Sequence, residues 1–326
     1  MHATVTATWL LPAMLLLTSP PTATALEAPG TTTAGRCGNT ELLVISTASN
    51  RGEVDHCGCA RARKGGLPWR ACLIDSLRTG DEALLVDAGD FMHPDRHRDD
   101  ALDRFVIEAM GSMGYRAMTL GELELERGVD TVKRLVADSP VPITLANVSD
   151  AATGEPIGEP FLIEEVNGLR VAITGLLGQE LGEDADAFTR LGITVDDPFE
   201  VASALVPRLA GMADLVMVLS HMTTSDAIRL PELVPDIDLL VLGHDPGTAA
   251  ATRIGGTVII RSGQRGQYLG VTRVQVGPEN AIVAASGQAV PILIDTVCAD
   301  PEMARALHVL LGAIETGSNA RGNTSD

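Results

Sequence analysis

Short apolar runs alternate with segments of helical period along most of the chain. Leu42-Leu43-Val44-Ile45 is continuous and partly β-branched, the pattern of a strand buried on both faces. After Gly66 the apolar positions Leu67, Ala71, Ile74 and Leu77 recur every three or four residues, which predicts a helix. The same reading gives strands at 83–86, 117–120 and 143–146 and helices at 102–110 and 129–136. That alternation predicts β-α-β units. Further on, two apolar runs at 160–163 and 170–173 flank Asn167-Gly168, a hairpin signal. An acidic segment at 183–186 reads as a mobile connection, and 198–209 as a helix. Strands follow at 215–219 and 239–242, and antiparallel pieces at 258–260 and 271–274 near Gly255-Gly256. Parallel units combined with hairpins predict an α/β fold of two packed mixed β-sheets flanked by helices, in a single domain.

The ends of the chain differ from this body. Trp9 to Leu17 is apolar but too short to span a bilayer, and Ala23-Thr24-Ala25 has the small residues of a cleavage site. The expectation is a signal peptide at 1–25, a linker at 26–40, the folded domain at 41–297, and a C-terminal helix with a disordered tail at 298–326. The mature protein is then exported, periplasmic or extracellular, and does not span a membrane. Residues 1–25 hold no Asp, Glu, Lys or Arg, so the formal net charge of −19 stays with the mature chain. That balance disfavours nucleic acid and anionic membrane surfaces as partners and leaves a metal cation as the natural counter-charge for clustered carboxylates. Aromatic residues make up only 3% of the chain, too few for base-stacking platforms.

In β-α-β folds the chemistry sits on the loops at the carboxyl ends of strands. The first strand is followed by Ser49-Asn50-Arg51, the second by Asp87-Ala88-Gly89-Asp90, and the third by Gly121-Glu122-Leu123-Glu124. Two later strands deliver Ser220-His221 and Gly243-His244-Asp245. A lone imidazole there is more often structural, but two of them with two acidic motifs along one set of strand ends point to a divalent cation.

That ordered set resembles the calcineurin-like metallophosphoesterases, in the branch of the bacterial periplasmic 5′-nucleotidases. The likeness runs from about Leu42 to Val276 and includes Gly65-Gly66-Leu67, the segments around Asp90 and His221, Ile237 to Asp245, and Gly263 to Gly270. It implies the four-layer sandwich of that family and a two-metal site for phosphoester hydrolysis. Residue by residue, the resemblance places Asp90 at the bridging carboxylate, His221 and His244 at the histidine ligands, and Glu122 at the asparagine ligand of one metal. The other metal keeps only Asp90. Its Asp-x-His motif falls on Ser49-Asn50-Arg51, and its last histidine on Pro246. The histidine that assists the leaving group is Leu123, which leaves Glu124 none to orient.

The resemblance therefore implies one divalent metal (Zn, Mn or Fe) on Asp90, Glu122, His221 and His244, acting on a small phosphorylated substrate with low or altered activity. Asp90 and Glu122 carry the catalysis, and the Arg51 guanidinium stands in for the missing cation by pairing with phosphate. Nucleotide specificity does not carry over.

The five cysteines are Cys37, Cys57, Cys59, Cys72 and Cys298. An odd number in an exported protein leaves one unpaired or paired between chains. Cys72 reads as a buried apolar residue of its helix. Cys57-Gly58-Cys59 resembles a Cys-Gly-Cys subgroup of exported nucleotidase relatives, and three readings stay open. It forms a structural disulfide, with Cys37 a candidate partner; it is a redox dithiol; or with His56 it supplies soft ligands for Zn²⁺. Arg61, Arg63 and Lys64 would lower a thiol pKa in the latter two cases, or form a solvated basic run or a phosphate contact. The alternative function is a non-catalytic or thiol-redox protein on the same scaffold, using Cys57 and Cys59.

Overall fold

A computed structural model describes residues 38–57, 63–78, 82–95, 100–181 and 186–322, with the side chains of 100 and 317–322 excepted. The segments expected to be a signal peptide (1–25) and, for the most part, a linker (26–40), together with Cys37, Cys59, Arg61 and most of the acidic segment at 183–186, lie outside these residues.

Two mixed sheets form the centre. The first runs in the order β13 (Ile282–Pro291), β12 (Tyr268–Val276), β1 (Thr40–Thr47), β2 (Ala83–Asp87) and β3 (Ala117–Met118), with β1, β2 and β3 parallel. The second runs β10 (Thr252–Ile254), β11 (Thr257–Ile260), β9 (Leu239–Leu242), β8 (Leu215–His221), β6 (Leu169–Leu177) and β5 (Leu162–Val166), with β6, β8, β9 and β11 parallel. A small ribbon pairs β4 (Val148–Asp150) with β7 (Ile193–Val195). The longer helices are α1 (Leu67–Leu77), α2 (Asp100–Met113), α4 (Val129–Asp138), α6 (Pro198–Ala210) and α9 (Pro301–Gly322). Single turns are α3 (Glu122–Leu125), α5 (Ala187–Arg190), α7 (Thr224–Ala227) and α8 (Leu230–Leu233).

Strand periodicity decides the layering, because successive side chains point to opposite faces. Leu42 and Val44 of β1 face the second sheet and pack in one core with Val171, Met217, Leu219, Leu239 and Val241. Leu43 and Ile45 face the other way and pack with Leu67 and Ile74 of α1 and Met110 of α2. On the outer face of the second sheet, Val216, Val218 and Leu240 pack against Val206 and Leu209 of α6. The result is helix, sheet, sheet, helix, the four-layer sandwich that the resemblance implies. Strands buried on both faces must be apolar throughout, and this is why they read as continuous runs.

Several local expectations are corrected. Residues 143–146 form only isolated bridges, to Met118 and Glu159, because β3 is two residues long and cannot support a full ladder beside it. The piece at 258–260 pairs parallel with β9 as well as antiparallel with β10. β13 carries a half-exposed pattern without a continuous apolar run, and hydrophobic patterning missed it. Cys72 is not a lone buried thiol: it is disulfide-bonded to Cys298, with the Cα atoms 5.8 Å apart. The bond ties α1 to the segment entering α9, where the Asp300 amide also donates to the Pro68 carbonyl. Among the described residues no helix is long and apolar enough to cross a membrane.

Candidate metal centre

Four side chains converge where the two sheets present their carboxyl ends. Asp90 lies in the loop after β2 and Glu122 opens α3 after β3, both from the first sheet. His221 ends β8 and His244 follows β9, both from the second. One ligand atom from each of the four lies within 4.8 Å of all the others. Asp90 and His221 are fully buried and Glu122 is nearly so. The sequence-based set is thus brought together without loss or addition, although its members are far apart in the chain.

Hydrogen bonds fix the orientation of each group. His221 Nδ1 donates to the Ala88 carbonyl at 2.6 Å, so Nε2 faces the centre, 2.6 Å from Glu122 Oε2 and 3.5 Å from Asp90 Oδ1. Fixing one imidazole nitrogen on a carbonyl in this way is how proteins set the ligating tautomer. His244 Nδ1 lies 2.9 Å from Glu122 Oε1. Asp90 Oδ1 accepts the Leu123 amide at 3.0 Å, while Asp90 Oδ2 is buried with no hydrogen-bond partner among the described residues. An unpaired buried carboxylate oxygen is costly, and a cation is the simplest group to satisfy it. The donor set of two carboxylates and two imidazoles suits a borderline divalent ion, so the residues present fit a metal. Gly121 leaves the space: a Cβ there would come within 2.6 Å of His221 Nε2 and closer still to Asp90 Oδ1.

Charge follows the same geometry. Burial opposes ionisation of Glu122, but hydrogen bonds and positive charge from His221 and His244 outweigh it and hold the carboxyl well below its usual range. Burial also opposes the His221 charge, yet Asp90 and Glu122 raise its pKa well above the ordinary value. Glu122 raises that of His244 by hydrogen bonding. The carboxylates and the imidazoles thus favour one another's charged forms.

Glu124 acts differently from the expectation. It does not wait on a histidine: it accepts the amides of Asp90 (2.9 Å), Met92 (2.8 Å) and Gly121 (2.8 Å). It thereby clamps the Asp90 loop to the start of α3. Burial and the neighbouring Asp90 charge push its carboxyl up to about 8.

The other half of the centre is built from different chemistry. The Ser49 hydroxyl donates to the His244 carbonyl at 2.6 Å, and the Arg51 amide donates to the Asp90 carbonyl at 2.8 Å. Among the described residues the half-buried Arg51 guanidinium makes no hydrogen bond or ion pair. Asn50 points inward, donating to Asp87 Oδ2 at 2.7 Å and accepting from Arg70 Nη2 at 2.9 Å. Arg70 and Asp87 are fully buried. Sequence reasoning gave Arg70 no role. Its signal was an arginine at the 67, 70/71, 74 spacing of an otherwise apolar helical stripe.

Cys57 does not join the centre. Among the described residues the only cluster of three or more His, Cys, Asp or Glu side chains with metal-binding geometry is the four-residue one. His56 bridges to Gly65, its ring standing edge-on to Trp69 at 5.5 Å between centroids. Of the nearby cations, Arg63 pairs with Asp295 at 2.7 Å and Lys64 donates to the Tyr268 hydroxyl at 3.0 Å.

Comparison with known proteins agrees with this architecture. No family profile matches the chain. It is 27% identical over 244 residues to a 5′-nucleotidase of Vibrio cholerae, covering 63% of this chain and 44% of that protein. It is 26% identical over 285 residues to a 2′,3′-cyclic-nucleotide 2′-phosphodiesterase/3′-nucleotidase of Yersinia enterocolitica, covering 74% of this chain and 44% of the relative. The chain thus spans about half the length of these curated relatives. The crystal structure of the calcineurin-like phosphoesterase YfkN from Bacillus subtilis superposes with a TM-score of 0.69 at 18% identity, covering 83% of this chain and 96% of that one.

Proposed function

We propose that this chain, a relative of the calcineurin-like metallophosphoesterases of the 5′-nucleotidase branch, is an exported phosphoester hydrolase that holds one divalent cation per chain. The observation that carries the reading is the four-residue cluster within 4.8 Å, with the buried Asp90 Oδ2 left for a cation. Bound there, a divalent ion supplies polarisation of a phosphoryl oxygen and a lowered pKa for a water molecule. Asp90, Glu122, His221 and His244 hold it, and Glu124 fixes the Asp90 loop through three amides. Arg51, with an unengaged guanidinium beside the Asp90 loop, binds the phosphate of a small substrate.

Only Asp90 of the other metal's family ligands is present, and Leu123 cannot protonate a leaving group. A missing cation removes transition-state stabilisation worth several kcal/mol, about a thousandfold in rate. Activity is therefore slow and confined to esters with good leaving groups. The Cys72–Cys298 disulfide supports export to the periplasm or beyond, since such bonds persist in oxidising compartments.

The test is metal content per chain, by elemental analysis, beside hydrolysis of an activated aryl phosphate. One metal per chain and slow turnover of the aryl ester, with little on an alkyl phosphate, is the expected result. Two metals per chain would overturn the single-metal reading. No metal would move the protein to the non-catalytic or thiol-redox alternative.

A further inference from the structure

The loop after β1 is strained. Among the described residues seven non-glycine residues have positive φ, and four of them are Ser49 (46°), Arg51 (55°), Asp90 (59°) and His244 (53°), all at the centre. Non-glycine residues adopt this region at a cost of about 1–3 kcal/mol each, Asn, Asp and His most readily, and Ser49 and Arg51 are outside that tolerant group. In the family resembled, a metal bound by the residues at positions 49 and 51 would supply the constraint that holds such residues there. Here Ser49 and Arg51 are not such ligands, yet the loop is still docked. The amides of Ser49, Arg51 and Gly52 donate to the carbonyls of Gly89, Asp90 and Phe91, each at 2.8 Å.

Beneath this docking lies a buried polar chain. Arg70 Nη2 donates to Asn50 Oδ1, Asn50 Nδ2 donates to Asp87 Oδ2, and Asp87 also accepts the Thr47 hydroxyl at 2.5 Å and the Gly89 amide at 2.9 Å. The Tyr115 hydroxyl closes the chain on Thr47 at 2.8 Å. Arg70 reaches Asn50 from α1, across the loop, and a Cβ at Gly266 would come within 2.6 Å of Arg70 Nη2. That glycine has φ 63° and so both turns the chain and clears the guanidinium. The head group is completely buried, and its Nε and Nη1 have no partner among the described residues. A cation held so dry, with one hydrogen bond and Asp87 across Asn50 as its counter-charge, is too costly to serve as packing alone.

We propose that Arg70, through Asn50 and Asp87, is a built-in staple between the loop after β1 and the loop carrying Asp90, standing in for the other metal, whose ligands in the family resembled fall on Ser49 and Arg51. A fixed guanidinium on a helix and a fixed amide on the loop do by hydrogen bonding what a shared cation does by coordination. Arg70 is then a positioning residue: it touches neither substrate nor metal, and it acts by keeping the Asp90 carbonyl and side chain in register with Glu122 and His221. Its effect on metal affinity rests on the single-metal reading above, whereas its effect on the loop does not.

The test compares the full-length protein with Arg70→Met, Arg70→Lys and Asn50→Leu, using amide hydrogen exchange and Mn²⁺ titration. Arg70→Met and Asn50→Leu are expected to speed exchange of the Arg51 and Gly52 amides at least tenfold while leaving Leu43 and Val44 in β1 unchanged. Mn²⁺ binding weakens about tenfold in both, Arg70→Lys recovers part of each effect, and the Met/Leu double variant is no worse than either single change, because the two act as one unit. Should Arg70→Met fail to fold, Asn50→Leu and Arg70→Lys carry the comparison. Retained protection of Arg51 and Gly52 in Asn50→Leu, or uniform acceleration through β1 as well, would overturn the staple. Wild-type protein that binds no Mn²⁺ would sink the metal reading, and the exchange data would still decide the staple.

Discussion

The two halves of the centre were filled in opposite ways. On the side of Glu122, His221 and His244, every side chain points inward with its ligating atom exposed to a common point, and the burden of charge is left for a cation. On the side of Ser49, Asn50 and Arg51, the loop follows a strained path and is met by the buried Arg70 of α1, which donates to Asn50. The difference teaches that a loop conformation and the ligands that occupy it are separable. Backbone hydrogen bonds to the Gly89–Phe91 carbonyls hold the loop after β1, and Asn50 ties it to the buried Asp87 beneath.

The largest expected contrast between the halves is in metal affinity. Asp90→Asn or His221→Ala should abolish tight binding, a loss of at least about a hundredfold by titration, given that changes to outer groups alone cost ten- to a hundredfold. Equal losses from Ser49→Ala would break the distinction between the halves. The same titration should release protons. Both imidazoles have raised pKa values, so the cation-free site holds their protons more tightly than free imidazoles do, and those protons must leave before the nitrogens ligate. Metal affinity therefore rises with pH, and calorimetry in buffers of different ionisation enthalpy should detect the release. A pH-independent affinity would contradict it.

A control far from both halves comes next. Cys298→Ser should lower unfolding stability by about 3–5 kcal/mol, because the bond closes a loop of 226 residues, while metal affinity stays within about twofold. Denaturant unfolding beside Mn²⁺ titration measures both, and a large loss of metal affinity would show that the centre depends on global packing. Arg51→Ala probes the depleted half alone. It should keep the metal and weaken inorganic phosphate binding about tenfold, roughly 1.4 kcal/mol. Loss of metal instead would make Arg51 part of the ligand scaffold.

The smallest effect lies at Asp238, in the turn before β9. Burial pushes its carboxyl up to about 6, against a hydrogen bond from the Val216 amide. The folded state binds the proton more tightly than the unfolded state, so stability is greatest below the unfolded pKa near 4 and falls as pH rises through about 6. Asp238→Asn should remove that fall and stabilise the protein at pH 7 by about 1 kcal/mol. Thermal melts across pH 4 to 7 check it, and an unchanged slope in the variant would refute it.

The sequence by itself determined the layers and pointed to the four side chains that the fold gathers into one cluster. Strands buried on both faces must be apolar throughout, and loops at parallel strand ends must hold the polar residues, so Asp90, Glu122, His221 and His244 stood out as the chemistry after four apolar runs. Only the tertiary structure decided the rest. The Cys72–Cys298 bond joins residues whose proximity depends on where α9 returns to α1, and no local pattern encodes that. Glu124 looked like a group without a partner because its partners are main-chain amides, which leave no trace in the side-chain sequence. Arg70 was visible as a misfit on an apolar helical face, but its meaning depended on Asn50 and Asp87 meeting it from two other elements. Periodicity reports burial along one element, whereas a buried charge is explained only by the groups that other elements bring to it.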